Sequence, residues 1–309
     1  MDEYLKRIAD ALERAFPLGP DIAFFEKADA FIWEPDRNHF SEVSNISTID
    51  ISLLKGMNKE IEQVRLNTKA FADGNLANNV LIWGARGMGK STLIKSVVKE
   101  TSYKNNSLKI IEVARDHIGQ MDSLLKTIRN LDKKFIIFCD DISFDDNETS
   151  YKSLKSLLDG GLIGGAQNVL VYATSNRRHL LSRKAGNADN FMRWEEELDE
   201  RLSISDRFGI SIGFYECDQN LYLEIVRSYA KSFGINVGTE ELDKRALQWQ
   251  VQRGSRSGRV AKQFVVSLLS SYLQHFLLKV IFWVNALCSS SKLKMKYSLM
   301  FAVICFFCH

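Results

Sequence analysis

The sequence predicts an α/β protein: a three-layer core around a mostly parallel five-stranded sheet, with a helical N-terminal region and a small helical lid. Three observations carry this. From Asn78 short apolar runs alternate with segments of helical period, the pattern of strand-helix-strand units. After Asp218 the pattern is helical throughout. All three prolines, Pro17, Pro20 and Pro35, lie near the start, so nothing beyond them reads as a proline-rich linker or a proline-punctuated sandwich.

The elements follow in order. Leu5, Ile8, Ala9, Leu12 and Phe16 recur at three and four residues, one stripe of a helix that Pro17 and Gly19-Pro20 end. A second helix is expected from Asn58, with Ile61, Val64 and Phe71 on its apolar face. Residues 1–76 thus read as the helical N-terminal region, and the aromatics Phe24-Phe25 and Phe31-Ile32-Trp33 within it as core or docking surface. The core domain, 77–216, holds candidate strands at Val80 to Trp83, Lys109 to Val113, Phe135 to Cys139, Val169 to Ala173 and Ile210 to Phe214. Helix patterns lie between them: Leu93, Ile94, Val97, Val98; then Met121, Leu124, Leu125, Ile128, Leu131; then Tyr151, Leu154, Leu157, Leu158. The lid, 217–271, opens at Asp218 as N-cap, runs through Leu221, Ile225, Tyr229 and Phe233 to a stop at Gly234, and resumes at Thr239 and Ser257. Residues 272–309 are apolar but broken by Gln274, His275 and Lys279, and their second apolar run is about a dozen long against the roughly 20 a spanning helix needs. This tail admits three readings: a buried or irregular extension, a membrane-associating segment, or a non-native C-terminus.

Composition narrows the class. The 309 residues, 45% hydrophobic, suffice for one large domain or two modest ones and exclude a disordered chain, a collagen and a small disulfide scaffold. A net charge of +3, from 41 basic and 38 acidic residues, supplies no overall field that demands nucleic acid or membrane. Cys139, Cys217, Cys288, Cys305 and Cys308 are odd in number, with neither a paired CxxC nor a nearby His ligand set, which suits a reducing, cytoplasmic location. The acidic start Met1-Asp2-Glu3-Tyr4 leads into an amphipathic pattern, so no signal peptide is expected and the mature chain is expected to begin here.

The chemistry begins at Gly84-Ala85-Arg86-Gly87-Met88-Gly89-Lys90-Ser91, which fits G-x-x-x-x-G-K-[ST] directly after an apolar strand and before an amphipathic helix. Glycines let such a loop fold tightly, so that its N–H groups and the helix N-terminus face phosphate oxygens. These eight residues and Thr92 are the expected nucleotide-binding set of a P-loop NTPase core, with ATP and Mg²⁺ as cofactors. Lys90 would bridge the β- and γ-phosphates and Ser91 would ligate Mg²⁺. Downstream, Phe135-Ile136-Ile137-Phe138-Cys139-Asp140-Asp141 is a buried strand ending in two carboxylates at the carboxyl edge of the sheet, where open α/β folds bind ligands. Asp140 is the expected Mg²⁺ carboxylate, reaching the ion directly or through one of its other ligands. Asp141 lies where such ATPases usually carry a Glu that deprotonates the attacking water, and it reaches about one methylene less far, so slow hydrolysis is expected.

Three further stretches follow in order: Val169 to His179, with Ser175-Asn176-Arg177-Arg178-His179 at a strand end; Ser205-Asp206-Arg207-Phe208-Gly209 before the fifth strand; and Arg253-Gly254-Ser255-Arg256-Ser257-Gly258-Arg259 opening the last lid helix. With the phosphate loop and the acidic strand, they make the chain resemble the AAA+ ATPases. More closely, it resembles a bacterial AAA+-like family known mainly as a domain of unknown function, which shares the Gly-Ala-Arg-Gly loop, the Cys-Asp-Asp strand end and these three motifs. The resemblance covers roughly residues 20 to 270 and stops before the apolar tail. It implies that Asn176 is sensor 1, holding the lytic water, that Arg207 is an arginine finger offered to a neighbouring subunit, and that Arg259 is sensor 2. A guanidinium at the γ-phosphate stabilises the charge of phosphoryl transfer. Read alone, Arg207 is equally an ion-pair partner for the acidic run Glu195 to Glu200, and Asn176 a turn residue.

The expected activity is therefore Mg²⁺-dependent ATP hydrolysis at the interfaces of a homo-oligomer acting on an unknown protein client. An ATP-gated loader or adaptor on a nucleic-acid machine is the alternative, toward which the basic cluster Arg177, Arg178, Arg183 and Lys184 points, although a solvated loop explains that cluster too. A small-molecule kinase is a further rival that would need neither the interface arginine nor the acidic pair. Membrane contact is expected only through the C-terminal tail. Cys139 reads as an inert small hydrophobe, His117 and His179 have no metal-ligand spacing, and Gly160-Gly161 with Gly164-Gly165 read as a connector.

Overall fold

The structure, a computed structural model, describes residues 3–8, 20, 22–142, 153–155, 157–158, 166–176 and 206–289, the side chains of Arg37 and of 275–289 excepted. Residues 3–8 are helical and exposed, and the rest of the first expected helix lies outside the described residues. Strands β1 (Ala30–Glu34) and β2 (His39–Glu42) come next, followed by α1 (Asn58–Ala72), β3 (Val80–Gly84), α2 (Lys90–Lys104), β4 (Leu108–Val113), α3 (Met121–Ile128), β5 (Lys134–Cys139), β6 (Val169–Ser175) and β7 (Ile210–Phe214). Helices α4 (Gln219–Ser232), α5 (Thr239–Arg253) and α6 (Gly258–Ser289) follow.

Among the described residues the sheet has seven strands in the order β2-β1-β4-β5-β6-β3-β7, where the sequence predicts five. Only the β1-β2 pair is antiparallel; the others are parallel. The two extra strands come from the stretch read as helical. In β1, Phe31 and Trp33 are buried while Ile32 and Glu34 are exposed, the period-two alternation of a strand with one face on the core. Asn38, in the left-handed region at φ 44°, ends the tight turn into β2, and its side chain accepts from Trp33 Nε1 at 3.3 Å. The aromatics are core. Phe25 is fully buried with ring centroids 5.0 Å from Phe31, 5.3 Å from Phe40 and 5.0 Å from Phe135, an edge-on cluster that joins β1 and β2 to β5. β3, β5 and β6 are near-continuous apolar runs because both their faces are covered.

The chain clusters into two compact units, Met1–Ile225 with Arg256–Arg259, and Val226–Ser255 with Val260–His309. In the second, Leu242, Ala246, Phe264, Val265 and Leu268 are buried, Trp249 packs on Phe264 at 6.1 Å, and Arg227 pairs with Asp243. Asp218 accepts from Leu221 N at 2.7 Å as the N-cap of α4, and Gly234 closes that helix at φ 68°. α6 continues well past residue 271. Among the described residues no helix is long and apolar enough to cross a membrane. Residues 290–309, Tyr151 and the Gly160 to Gly165 loop lie outside the described residues.

Candidate active site

Strand order brings the site together. β6 lies between β5 and β3, with Cys139 opposite Ala173 and Trp83 opposite Ser175, so the carboxyl ends of three strands converge. β3 delivers the glycine loop, β5 delivers Asp140 and Asp141, and β6 delivers Asn176.

The loop's path depends on glycine at two points. Gly84 has φ 122°, and a Cβ there would fall 1.9 Å from the carbonyl oxygen of Phe214, the atom that also accepts from Ala85 N at 2.8 Å. Gly87 has φ 75°, and a Cβ there would fall 2.9 Å from Ser257 Oγ. The carbonyl of Gly87 accepts from the backbone N–H of Arg259 at 3.0 Å, so the segment carrying Arg259 rests on the loop. Met88 is buried, with Cys217 donating to its sulfur at 3.4 Å, and Thr92 sits half-buried on the first turn of α2.

The Lys90 ammonium, on the first turn of α2, donates to Gly84 O, Ala85 O and Asn176 Oδ1, each at 2.9 Å. Burial pulls its pKa below the usual lysine range; Asp141 and Asp140 oppose that shift, while Arg259 and Arg86 add to it. These charges gather into a cluster of three cations and two carboxylates around Lys90. Ser91 Oγ donates to Asp140 Oδ1 at 2.5 Å. Thr174 Oγ1 donates to the same oxygen at 2.5 Å and accepts from Asp141 N at 2.9 Å. Asp141 lies in the left-handed region, φ 51°, and Asn176 Nδ2 donates to its Oδ1. One amide thus links Lys90 to the second carboxylate.

Ser91 and Asp140 offer hard oxygen donors that suit Mg²⁺, and the glycine loop with the N-terminus of α2 suits a polyphosphate. Sequence reading missed Thr174. Its signal was a polar residue ending the apolar run of β6, two residues before Asn176.

Arg207 is not brought to this edge. It precedes Ile210, which pairs with Val80 at the start of β3, so its backbone lies at the opposite, amino edge of the sheet. A cleft of about 480 Å³ also opens at the amino edge, but its carboxylates Asp29, Glu26 and Glu42 are paired to Lys109 at 2.8 Å, Lys133 at 2.6 Å and Lys27 at 3.8 Å. Burial pushes Cys139 up to about 12 and Cys217 to about 11, so both thiols stay protonated at neutral pH. Among the described residues no His, Cys, Asp and Glu side chains form a metal cluster. Arg177, Arg178, Arg183, Lys184, His179 and the acidic run Glu195 to Glu200 lie outside the described residues.

A family model described as "Protein of unknown function (DUF815)" matches residues 26–272, much the stretch over which the motif resemblance runs. No curated protein matches the chain. Among solved structures, the Thermotoga maritima RuvB Holliday junction branch migration motor is 15% identical, with 71% of this chain and 73% of that one covered and a TM-score of 0.43. The FIGL-1 AAA domain in complex with ADP is 15% identical over 71% and 72%, with a TM-score of 0.46. A DNA replication initiation factor is 17% identical over 74% and 66%, with a TM-score of 0.44. At these scores the three likenesses add nothing to what the chain's own geometry supports.

Proposed function

The chain belongs to the family described as "Protein of unknown function (DUF815)", and we propose that it is an Mg²⁺-dependent ATPase of AAA+ type, acting on a protein client as a cytoplasmic homo-oligomer. One observation carries this reading: the phosphate-loop lysine, the Ser91-Asp140 pair and the Asp141-Asn176 pair meet within hydrogen-bonding distance at the carboxyl edge of the sheet.

Each residue has a task in that chemistry. The loop N–H groups and Lys90 hold the β- and γ-phosphate oxygens. Ser91 and Asp140 would hold Mg²⁺, which supplies neutralisation of charge on the β- and γ-oxygens when bound. Asn176 orients a water against the γ-phosphorus, and Asp141 accepts the proton as the water oxygen bonds to phosphorus and the bond to the β-phosphate oxygen breaks. Arg259 meets the γ-phosphate of the chain's own nucleotide. Arg207, at the far edge, serves a neighbour's.

Steady-state ATP hydrolysis across a range of protein concentrations tests the reading. Turnover per chain is expected to rise with concentration and to fall about a hundredfold or more in Lys90→Ala. Tight nucleotide binding with no turnover at any concentration would replace the motor by an ATP-gated loader or adaptor. That second reading has its own support in the short reach of Asp141 and in the engagement of its carboxylate by Asn176.

A further inference from the structure

We infer that Thr174 is a positioning residue for both carboxylates, acting through its hydroxyl; this rests on the ATPase reading above. Three observations converge on it. The side chain is 1% exposed near the end of β6, a strand buried over nearly its whole length. A buried hydroxyl in such a place needs partners, and this one both donates and accepts: it donates to Asp140 Oδ1 at 2.5 Å and accepts from Asp141 N at 2.9 Å. The same residue's carbonyl accepts from Ile142 N at 2.7 Å, so Thr174 grips the chain on both sides of Asp141.

The consequences differ for the two carboxylates. For Asp140, Ser91 and Thr174 both donate to Oδ1, which fixes the rotation of the carboxylate about its stem and, among the described residues, leaves Oδ2 without a hydroxyl. The metal-side oxygen is thereby selected in advance, as supporting hydrogen bonds do for metal ligands. For Asp141, the left-handed backbone at φ 51° is a conformation that L residues adopt at a cost, and the hydrogen bonds to Thr174 and from Asn176 hold it there. That backbone sets the direction in which the shorter carboxylate leaves the chain. Valine keeps the shape of Thr174 and removes both hydrogen bonds, whereas serine keeps them.

The test measures binding as well as turnover. Affinity for a fluorescent ADP analogue is determined with and without Mg²⁺ for the wild type, Thr174→Val, Thr174→Ala and Thr174→Ser, each checked for a cooperative thermal transition. The factor by which Mg²⁺ tightens nucleotide binding is expected to shrink about tenfold in Thr174→Val and Thr174→Ala, the usual weight of a hydrogen bond to a charged group, and to survive in Thr174→Ser. Affinity without Mg²⁺ is expected to stay at the wild-type value in all three variants, while in the two hydroxyl-free variants kcat falls and KM for the Mg²⁺-nucleotide rises with the lost Mg²⁺ factor. A folded Thr174→Val or Thr174→Ala chain with the wild-type Mg²⁺ factor and kcat overturns the inference. A wild-type chain that binds no Mg²⁺-nucleotide overturns the ATPase reading instead, so the two failures are distinct.

Discussion

Lys90 is the charged residue of the site whose burial works against its charge. Its ammonium is buried next to Arg259 and Arg86, and that burial outweighs the help of two aspartates. The folded pKa lies below 10.5, so the charged form costs stability at neutral pH, and the cost is relieved as pH rises through the window up to 10.5. Phosphate binding has the opposite preference, because only the ammonium donates and attracts. Nucleotide affinity is therefore expected to fall as pH climbs, starting below the range of an ordinary lysine. Titration of a fluorescent nucleotide from pH 7 to about 10.5 checks this. The alkaline decline should vanish in Lys90→Arg, whose guanidinium keeps its charge throughout but binds more weakly from the outset. A wild-type affinity that is flat over this range would mean that Lys90 does not hold the phosphates.

At the scale of elements, the junction of β3 with the loop is the tightest joint described. Gly84→Ala would drive a methyl against the carbonyl oxygen of Phe214 in a backbone conformation hostile to alanine. We expect a loss of about 2–4 kcal/mol in chemical denaturation together with loss of nucleotide binding. Gly74→Ala is the control: φ is similarly positive, at 84°, but nothing lies within 4 Å, so about 1 kcal/mol is expected with binding intact. Equal costs at both sites would show that the contact with Phe214 does not matter. The loop and its flanking elements were legible in sequence because glycine spacing, lysine and amphipathic period are local properties. Asp140 and Asp141 were legible because they follow an apolar run that reads as a strand, and Asn176 only through the motif resemblance, since read alone it is a turn residue. β1 was not, because its alternation lasts five residues and sits between helical patterns. Thr174 was not, because its partner Asp140 lies 34 residues away and only strand order brings them together. The docking of Arg259 on the Gly87 carbonyl was hidden for the same reason.

At the scale of the whole molecule, the sheet separates the two ends of the proposed reaction. The phosphate loop sits at its carboxyl edge, and the backbone of Arg207 enters at its amino edge. A chain built this way is expected to need a neighbour. Mixing Lys90→Ala with Arg207→Ala chains tests this: each should be inactive alone, while an equal mixture should recover about a quarter of the wild-type rate, the fraction of interfaces that pair an intact lysine with an intact arginine. No recovery on mixing would remove the shared site. The anchoring of the loop also governs when the molecule first becomes competent. Trp83 and Ser211 are bonded across 128 residues of chain, and the glycine loop next to Trp83 hangs on Phe214. During synthesis the loop therefore leaves the ribosome on the order of ten seconds before the strand that shapes it. On the proposed reading, the nascent chain spends that interval with its glycine loop unformed, and nucleotide hydrolysis is expected to begin only once β7 has been made.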